Sequence, residues 1–357
     1  MTQPSRRAVL GAGLGLAGAG LVGCARQDAS PRETTLGPVA GRVLVLLAAD
    51  APHPPGTRSL GDALRKRLPD ADVVPMKTVD EQASHLRSAG ERGFGIVLVQ
   101  AAAPHGIGPA AEVAEKAGVI VVTVDRVPMD LDGVQAHVGW DEFSVGEREV
   151  TAVARATAGL HRLRHAELVP EGPDNQNARA RFEGNAFTLS GLTADGVMSV
   201  KSGQSSYDGQ AVNWDRRSAM IRRLTTTYAV TYPRDELDAV IVPSSAWVPL
   251  VAEIAREAGH LPPRLLSGDL AAEDIASLRR GELFSGLYRD PDALAAEAVR
   301  MVEHLRAGRA IPFRPLFSLR NRLGKRPAFL VLPVLVTRAN MAKALGRNPV
   351  LNRAARP

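Results

Sequence analysis

The order of apolar and polar residues along the chain predicts strands that alternate with helices. The predicted strands cover residues 43–47, 73–74, 95–99, 119–124, 137–138, 166–169, 197–200, 238–242, 264–266 and 284–288. The predicted helices cover residues 58–68, 79–90, 109–117, 142–158, 176–190, 216–226, 247–258, 271–280 and 291–307. Such alternation is typical of βαβ units that build parallel sheets, so we expect an α/β fold.

One predicted strand, residues 119–124, consists only of β-branched residues and ends at Asp125 and Arg126. A run of this kind is typical of a strand that is covered on both faces of a parallel sheet. Ligands of open α/β sheets bind just beyond the carboxyl ends of strands. A carboxylate beside a guanidinium could therefore bind a polyhydroxylated molecule such as a sugar. A surface ion pair that closes the strand is the alternative.

Two regions of the chain, residues 94–125 and residues 237–269, share one order of features. Each has a strand, a helix rich in alanine and glutamate, a second strand and a terminal aspartate, and the two helices lie 141 residues apart. This repetition predicts two lobes of like topology, with an acidic residue at a strand end in each. Facing sheet edges would then form a cleft. A chance likeness between two ordinary αβ units is the alternative.

The N-terminal region has the features of an export signal. Arg6 and Arg7 precede an uncharged run of sixteen residues that ends just before Cys24. Twin arginines before a short apolar segment are typical of such signals, and the run is shorter than the ~20 residues of a membrane-spanning helix. The tetrapeptide that ends in Cys24 resembles a bacterial lipobox, so we expect residues 1–23 to be cleaved and Cys24 to be lipidated. Residues 24–40 lack periodicity and are expected to form a flexible tether.

Composition limits the classes of function. Hydrophobic residues make up 45% of the chain and charged residues 23%, which is ordinary for a globular protein. The net charge of +6 hides an asymmetry, because residues 311–357 contain ten lysines and arginines and no acidic residue. Residues 1–23 contribute +2 and residues 311–357 contribute +10, so residues 24–310 carry a net charge of −6. This acidic body argues against nucleic-acid binding, and the basic end is either a solvated face or a contact with anionic lipid. The spacing of the histidines matches no metal motif, and neither a GxSxG elbow nor a Walker pattern is present. Residues 13–18 satisfy the GxGxxG pattern of dinucleotide loops, but they lie in the segment expected to be cleaved, so this match is discarded. We therefore expect no metal, no cofactor and no enzyme activity.

Several short motifs together resemble the periplasmic sugar-binding proteins, in particular the branch that binds ribose, xylose and multiple monosaccharides. In chain order the motifs are residues 121–126, 141–146, 171–178, 182–184, 201–204, 213–215, 267–269 and 287–290. The resemblance extends over about residues 41–345. It implies two Rossmann-like lobes with parallel sheets, joined by a three-stranded hinge, with a ligand cleft between them.

The resemblance also implies the domain boundaries and the ligand contacts. The expected N-terminal lobe is residues 41–157 plus 290–312, the C-terminal lobe is residues 158–289 plus 313–345, and residues 346–357 form a basic tail. The implied hydrogen-bonding residues are Arg58, Asp125, Arg126, Asn177, Asp269 and Arg289. Trp140 and Trp214 could each offer an apolar face to a sugar, or simply pack in a core.

The sequence also departs from the family pattern. Ala101 and the residues after it replace an expected aspartate or asparagine, and the aspartate expected after strand 238–242 is missing, with Ser244 and the residues after it in its place. Arg58 is followed by Ser59 where the close branch has tryptophan, and Arg289 replaces a lysine or a glutamine. Lost polar partners weaken a site that is built to bind hydroxyl groups.

The resemblance therefore implies a monomeric, lipid-anchored, extracytoplasmic solute-binding protein. It would bind a monosaccharide or related polyol by hinge closure and deliver it to an ABC permease in the membrane. The alternative is a degenerate relative that has lost tight sugar binding and acts as a sensory or interaction partner of a membrane protein.

Overall fold

Two lobes, each built on its own sheet, form the computed structural model of the chain. The structure describes residues 33–49, 59–160, 162–208, 210, 217–232, 237–259, 261–314, 326–346, 348 and 351–353. The strands are β1 (Glu33–Thr34), β2 (Arg42–Ala48), β3 (Asp72–Met76), β4 (Phe94–Val99), β5 (Ile120–Asp125), β6 (Ala136–Trp140), β7 (Arg164–Leu168), β8 (Met198–Ser199), β9 (Leu237–Val242), β10 (Arg264–Ser267), β11 (Ser285–Tyr288), β12 (Ile311–Arg314), β13 (Arg326–Val331) and β14 (Val334–Thr337).

The α-helices are α1 (Leu60–Arg67), α2 (Val79–Arg87), α3 (Gly108–Lys116), α4 (Glu142–Ala156), α5 (Gln176–Ala194), α6 (Arg217–Thr226), α7 (Val248–Glu257), α8 (Asp274–Arg280), α9 (Pro291–Ala307) and α10 (Met341–Ala344). Every strand and helix that the sequence predicts has a counterpart here, with ends that differ by a few residues. The short β1 and the elements after α9, which are β12, β13, β14 and α10, are additional to the predicted elements.

Local sequence explains several element boundaries. Strands β4 and β5 lie inside the first sheet, and their apolar runs are buried on both faces. Helix α2 begins with a capping box, in which Thr78 and Glu81 bond each other's backbone amides. Helix α9 begins after an Asp290 cap with Pro291 in its first turn, and it ends at Gly308 in the left-handed conformation.

The first lobe has the strand order β1-β12-β13-β6-β5-β4-β2-β3. Helices α1 and α9 contribute to the core on one face of this sheet, and α2 and α3 contribute to the core on the other. The strands from β13 to β3 are parallel to one another, whereas β12 is antiparallel to both β1 and β13. This layered arrangement buries a sheet whose strands are apolar on both sides.

The second lobe has the strand order β14-β11-β10-β9-β7-β8. Helices α6, α7, α8 and α10 pack on one face of the sheet, and α4 and α5 pack on the other. The two sheets share one strand order, which is β3-β2-β4-β5-β6-β13 in the first lobe and β8-β7-β9-β10-β11-β14 in the second. Among these twelve strands, only β14 is antiparallel to its neighbour in the series. The predicted α/β fold with two Rossmann-like lobes is confirmed.

The chain crosses between the lobes at three places: between β6 and α4, between β11 and α9, and between β13 and β14. The predicted boundary between the lobes at residue 157 was wrong, because it assigned α4 to the first lobe. This helix packs against α5, and its Val150 and Val153 belong to a core of the second lobe. The first crossover therefore follows Trp140.

The predicted assignment of residues 313–345 to the second lobe was also wrong for β13. Strand β13 pairs in parallel with β6, with Phe329 opposite Val138, and so belongs to the first sheet. The third crossover is the short segment between Val331 and Val334. Long-range strand pairing decides this assignment, and the order of residues along the chain does not reveal it.

Both ends of the described chain pack on the lobes. Within the expected tether, β1 pairs with β12, and the Val39 amide donates to the Leu305 carbonyl oxygen at 2.9 Å. Within the expected basic tail, Leu351 is fully buried in the core of the second lobe. The described part of each segment is therefore folded, which differs from the flexible tether predicted for residues 24–40.

Some predictions fall on residues that the structure does not describe. The signal peptide, Cys24, Arg58 and Trp214 all lie outside the described residues. Among the helices that are described, none combines the length and apolar character needed to span a bilayer.

Candidate functional site

The lobes enclose a cleft of about 790 Å³ beyond the carboxyl ends of their parallel strands. This is the position at which α/β sheets of this kind bind ligands. Six residues that the sequence singled out line it: Asp125, Arg126, Trp140, Asn177, Asp269 and Arg289. The fold therefore brings together side chains that are up to 164 positions apart in the sequence.

Asp125 lies at the end of β5 with a carboxylate that neighbouring side chains hold in place. Gln100 Nε2 donates to its Oδ2 at 2.7 Å, and Trp140 Nε1 donates to its Oδ1 at 2.6 Å. The Asp125 backbone has φ of 66°, in the left-handed region that non-glycine residues rarely occupy. Each carboxylate oxygen can accept more than one hydrogen bond, so Asp125 retains capacity toward the cleft.

Arg126 is half-buried and lines the same cleft. Its guanidinium forms no hydrogen bond or ion pair with any residue that the structure describes. A guanidinium carries five donors. Arg126 can therefore donate to a ligand without breaking a contact within the described chain.

Asn177 connects the two lobes. Its Nδ2 donates to the Asp125 carbonyl oxygen at 3.0 Å, and its Oδ1 accepts from the Val127 amide at 3.2 Å. Asn177 lies in the first turn of α5, in the second lobe, and its partners follow β5 in the first lobe. The side-chain amide of Asn177 thus already joins the lobes beside Asp125. These two bonds to the backbone are sufficient to explain the position of Asn177 without a ligand.

Asp269 follows β10 and corresponds in topology to Asp125. Its Oδ1 accepts from the Ser245 amide at 2.6 Å and from Ser267 Oγ at 2.8 Å. No described residue bonds its Oδ2. One carboxylate oxygen is thus fixed by the second lobe, and the other can accept from a ligand.

Arg289 is held in an ion pair. Its Nη2 lies 2.7 Å from Oε1 and 2.8 Å from Oε2 of Glu142, and its Nη1 donates to the Gly268 carbonyl oxygen. Burial alone would lower the pKa of Arg289, but the adjacent Glu142 carboxylate raises it above its ordinary value. Most of the guanidinium is engaged by the protein, and the pair joins the ends of two interlobe crossovers.

A second buried ion pair lies behind the wall of the cleft. Arg181 Nε and Nη2 each donate to a Glu149 oxygen at 2.8 Å, and Nη2 also donates to the Val242 carbonyl oxygen. Asn185 donates to the same carboxylate at 3.1 Å. This pair fixes α5 against α4 and places part of the Arg181 guanidinium on the cleft surface.

The polar residues of the cleft that the sequence did not predict as ligand contacts include Gln100, Glu142, Glu171 and Arg181. Gln100 and Glu171 follow strands β4 and β7, and a search for polar residues just after every predicted strand would have found them. Arg181 lies within helix α5 and reaches the cleft only through tertiary packing. The sequence around it therefore carries no signal comparable to a position just after a strand.

Glu171 is a carboxylate on the second-lobe wall. Burial raises its pKa above the ordinary value, although the positive charges of Arg181 and Arg289 oppose this effect. Asn175 Nδ2 donates to its Oε2 at 3.0 Å. The described residues include no group of histidine, cysteine and acidic side chains that could hold a metal ion. Across the cleft, carboxylate acceptors and guanidinium donors thus stand beside the apolar Trp140, Leu60 and Leu287.

Two lobes with a polar cleft between them are typical of proteins that bind a small polar ligand. A family model described as the periplasmic binding protein domain matches residues 62–310. The chain therefore belongs to this family, which confirms the family predicted from its motifs.

Individual relatives extend the comparison. The multiple sugar-binding periplasmic receptor ChvE of Rhizobium radiobacter is 24% identical over 276 residues, which are 75% of this chain and 77% of the relative. A solute-binding protein of an ABC transporter from Clostridium phytofermentans, solved with bound β-D-glucose, has a TM-score of 0.67 and 21% identity over 85% of this chain and 96% of its own. The Caulobacter myo-inositol-binding protein, solved with myo-inositol, has a TM-score of 0.58 and 19% identity over 85% and 95% of the two chains.

Proposed function

We propose that this chain is an extracytoplasmic solute-binding protein of an ABC importer and that it binds a monosaccharide or a related polyol in its cleft. The observation that carries the proposal is the pair of carboxylates, Asp125 and Asp269, presented to one cleft by equivalent strand ends of two lobes. Relatives that bind glucose, myo-inositol or several sugars support the choice of ligand class. The proposed role is binding and release, without a chemical step.

The proposed contacts follow from the chemistry of the side chains. Asp125 and Asp269 accept hydrogen bonds from ligand hydroxyl groups, and Arg126 donates to a hydroxyl or ring oxygen. The Trp140 ring covers apolar C–H groups of the ligand. Asn177 and Arg289 act mainly by holding the surrounding backbone and the crossovers. Arg58 and Trp214 remain proposed contacts on the basis of the family resemblance.

Thermal unfolding in the presence of D-glucose, D-xylose, D-ribose, D-glucosamine and myo-inositol tests the proposal. A ligand at 100 times its dissociation constant stabilises the folded protein by about 2.7 kcal/mol, which is readily measured as a rise in melting temperature. We expect such a rise with at least one of these compounds. Asp125→Asn and Asp269→Asn should abolish it, because an amide cannot replace both acceptor oxygens, whereas Asp70→Asn on the exposed surface should not. The absence of any shift for the wild-type protein would contradict the proposal.

The second candidate function is an interaction role without tight sugar binding. It is favoured by the two expected ligand groups, Asn177 and Arg289, that the protein itself engages. A panel without any thermal shift would support this candidate.

We also propose that Cys24 is lipidated and anchors the protein to the outer face of the cell membrane, next to its permease. The basis is the twin-arginine and lipobox-like pattern of the N-terminal residues. Metabolic labelling with an alkyne-tagged fatty acid should mark the wild-type protein, and labelling that persists in Cys24→Ser would contradict the assignment.

A further inference from the structure

Glu171 occupies the switch point of the second-lobe sheet. Strand β7 lies between β8 and β9, so the connections from β7 and from β9 run to opposite sides of the sheet. In sheets of this order, the crevice between these two strand ends is the preferred place for a ligand. The chain passes into this crevice three residues after the end of β7, at Glu171.

The two strands that flank the crevice end at the same level. Leu168 of β7 lies opposite Ile241 of β9, so Glu171 and Ser244 follow their strands at similar heights. Both residues line the cleft, as do Asp269 and Asp125. Carboxylates from three different strand ends thus face one cavity.

The carboxylate of Glu171 is only partly used by the protein. Its Oε2 accepts from Asn175 Nδ2 at 3.0 Å, and no described residue bonds its Oε1. Two cations face it, Arg181 from α5 and Arg289 from the end of β11, but each makes its short ion pair with another carboxylate. Asp269 faces it as a further negative charge, and the Tyr207 hydroxyl and Asp174 lie on the same side.

A half-buried carboxylate with an open oxygen loses hydration when the lobes close, and this loss is costly unless a donor replaces the water. The ligand is the donor that arrives on closure. We propose that Glu171 is a further ligand-binding residue, whose Oε1 accepts a hydrogen bond from a hydroxyl group of the bound sugar or cyclitol. This inference rests on the proposed function, and it deepens that function by requiring at least three ligand hydroxyls, one each for Asp125, Asp269 and Glu171.

Isothermal titration calorimetry with whichever of D-glucose, D-xylose, D-ribose, D-glucosamine and myo-inositol binds the wild-type protein tests the assignment. Glu171→Gln should raise the dissociation constant about tenfold to a hundredfold, because a hydrogen bond to a charged group is replaced by a weaker one. The control is Glu257→Gln, an exposed position on α7 outside the cleft, which should leave the constant unchanged. Melting of the ligand-free variants shows whether each is folded.

The pH dependence of binding gives a second test of the assignment. The ligand hydroxyl donates to the ionised carboxylate, so binding favours loss of the Glu171 proton. Burial raises the pKa of Glu171. As the pH is lowered, the wild-type affinity should therefore begin to fall while the pH is still above the ordinary titration range of a glutamate. In Glu171→Gln this part of the pH dependence should be missing.

The possible outcomes separate the two proposals. In one outcome, the wild-type protein binds a compound, and Glu171→Gln has the same dissociation constant and the same pH profile. This outcome would overturn the role of Glu171 and leave the sugar-binding function intact. The absence of wild-type binding to all five compounds would overturn both.

Discussion

At the scale of single residues, the site depends on side chains that orient Asp125. Gln100 and Trp140 each donate to one of its oxygens, and the left-handed backbone at Asp125 turns the chain into the cleft. Two fixed donors restrict the rotation of the carboxylate before a ligand arrives. Such preorganisation raises affinity because less conformational entropy is lost on binding.

We expect Trp140→Phe to weaken ligand binding about tenfold. The substitution keeps an aromatic ring but removes the N–H that donates to Asp125, and a hydrogen bond to a charged group is worth about 1.5–3 kcal/mol. The matched control is Trp247→Phe, since Trp247 is equally buried but packs in the second-lobe core away from the cleft. The control should lower stability without changing the dissociation constant. Equal dissociation constants in wild type and Trp140→Phe would contradict the orienting role.

At the scale of elements, glycines allow α4 and α5 to pack closely. A Cβ atom at Gly184 of α5 would lie 2.1 Å from the Phe143 carbonyl oxygen, and one at Gly146 of α4 would lie 2.1 Å from that of Arg181. The same contact surface contains the buried pair of Glu149 with Arg181. Close backbone approach is therefore needed to bring the Arg181 guanidinium to the cleft.

Two substitutions within α5 should have opposite effects on stability. Gly184→Ala forces α4 and α5 apart and should lower the free energy of unfolding by about 1–3 kcal/mol. Gly191→Ala places its methyl group in open space on the same helix, and should raise the free energy of unfolding by about 0.5–1 kcal/mol. Chemical denaturation of both variants measures the difference. A neutral or stabilising Gly184→Ala would show that the two helices can separate without cost.

At the scale of the whole molecule, the pair of Arg289 and Glu142 lies where two of the three crossovers leave the sheets. Glu142 begins α4 just after β6, and Arg289 directly follows β11. Arg289 also bonds the carbonyl of Gly268, next to Asp269. The ion pair thus joins the hinge to the cleft and restrains both in one arrangement of the lobes.

We expect Glu142→Gln to destabilise the protein by about 1–3 kcal/mol, since it removes the charged partner of the half-buried Arg289 guanidinium. Small-angle scattering of the folded variant should also show a changed lobe separation. The comparison is Glu297→Gln, which breaks a more exposed pair with Arg300 on α9 and should cost less than about 0.5 kcal/mol. If both variants unfold at the same denaturant concentration, the pair does not support the hinge.

The sequence by itself determined the α/β class, the alternation of elements and the likeness of the two lobes. Apolar runs, helix caps and turn residues act over a few neighbouring positions, so they can be recognised in order along the chain. For the same reason it placed Asp125 and Asp269 at strand ends, which is sufficient to predict a cleft once the strands are parallel. The family was also predictable, because its motifs are short and keep their order.

Only the tertiary structure decided to which lobe α4 and β13 belong, because strand pairing and helix packing join residues that are far apart in the chain. It also decided which polar groups remain available to a ligand. Arg126 has no partner within the described residues, whereas Asn177 and Arg289 are engaged by groups from other elements. A hydrogen bond depends on distances between atoms that the sequence does not contain, and so the open oxygen of Glu171 is visible only in the folded chain.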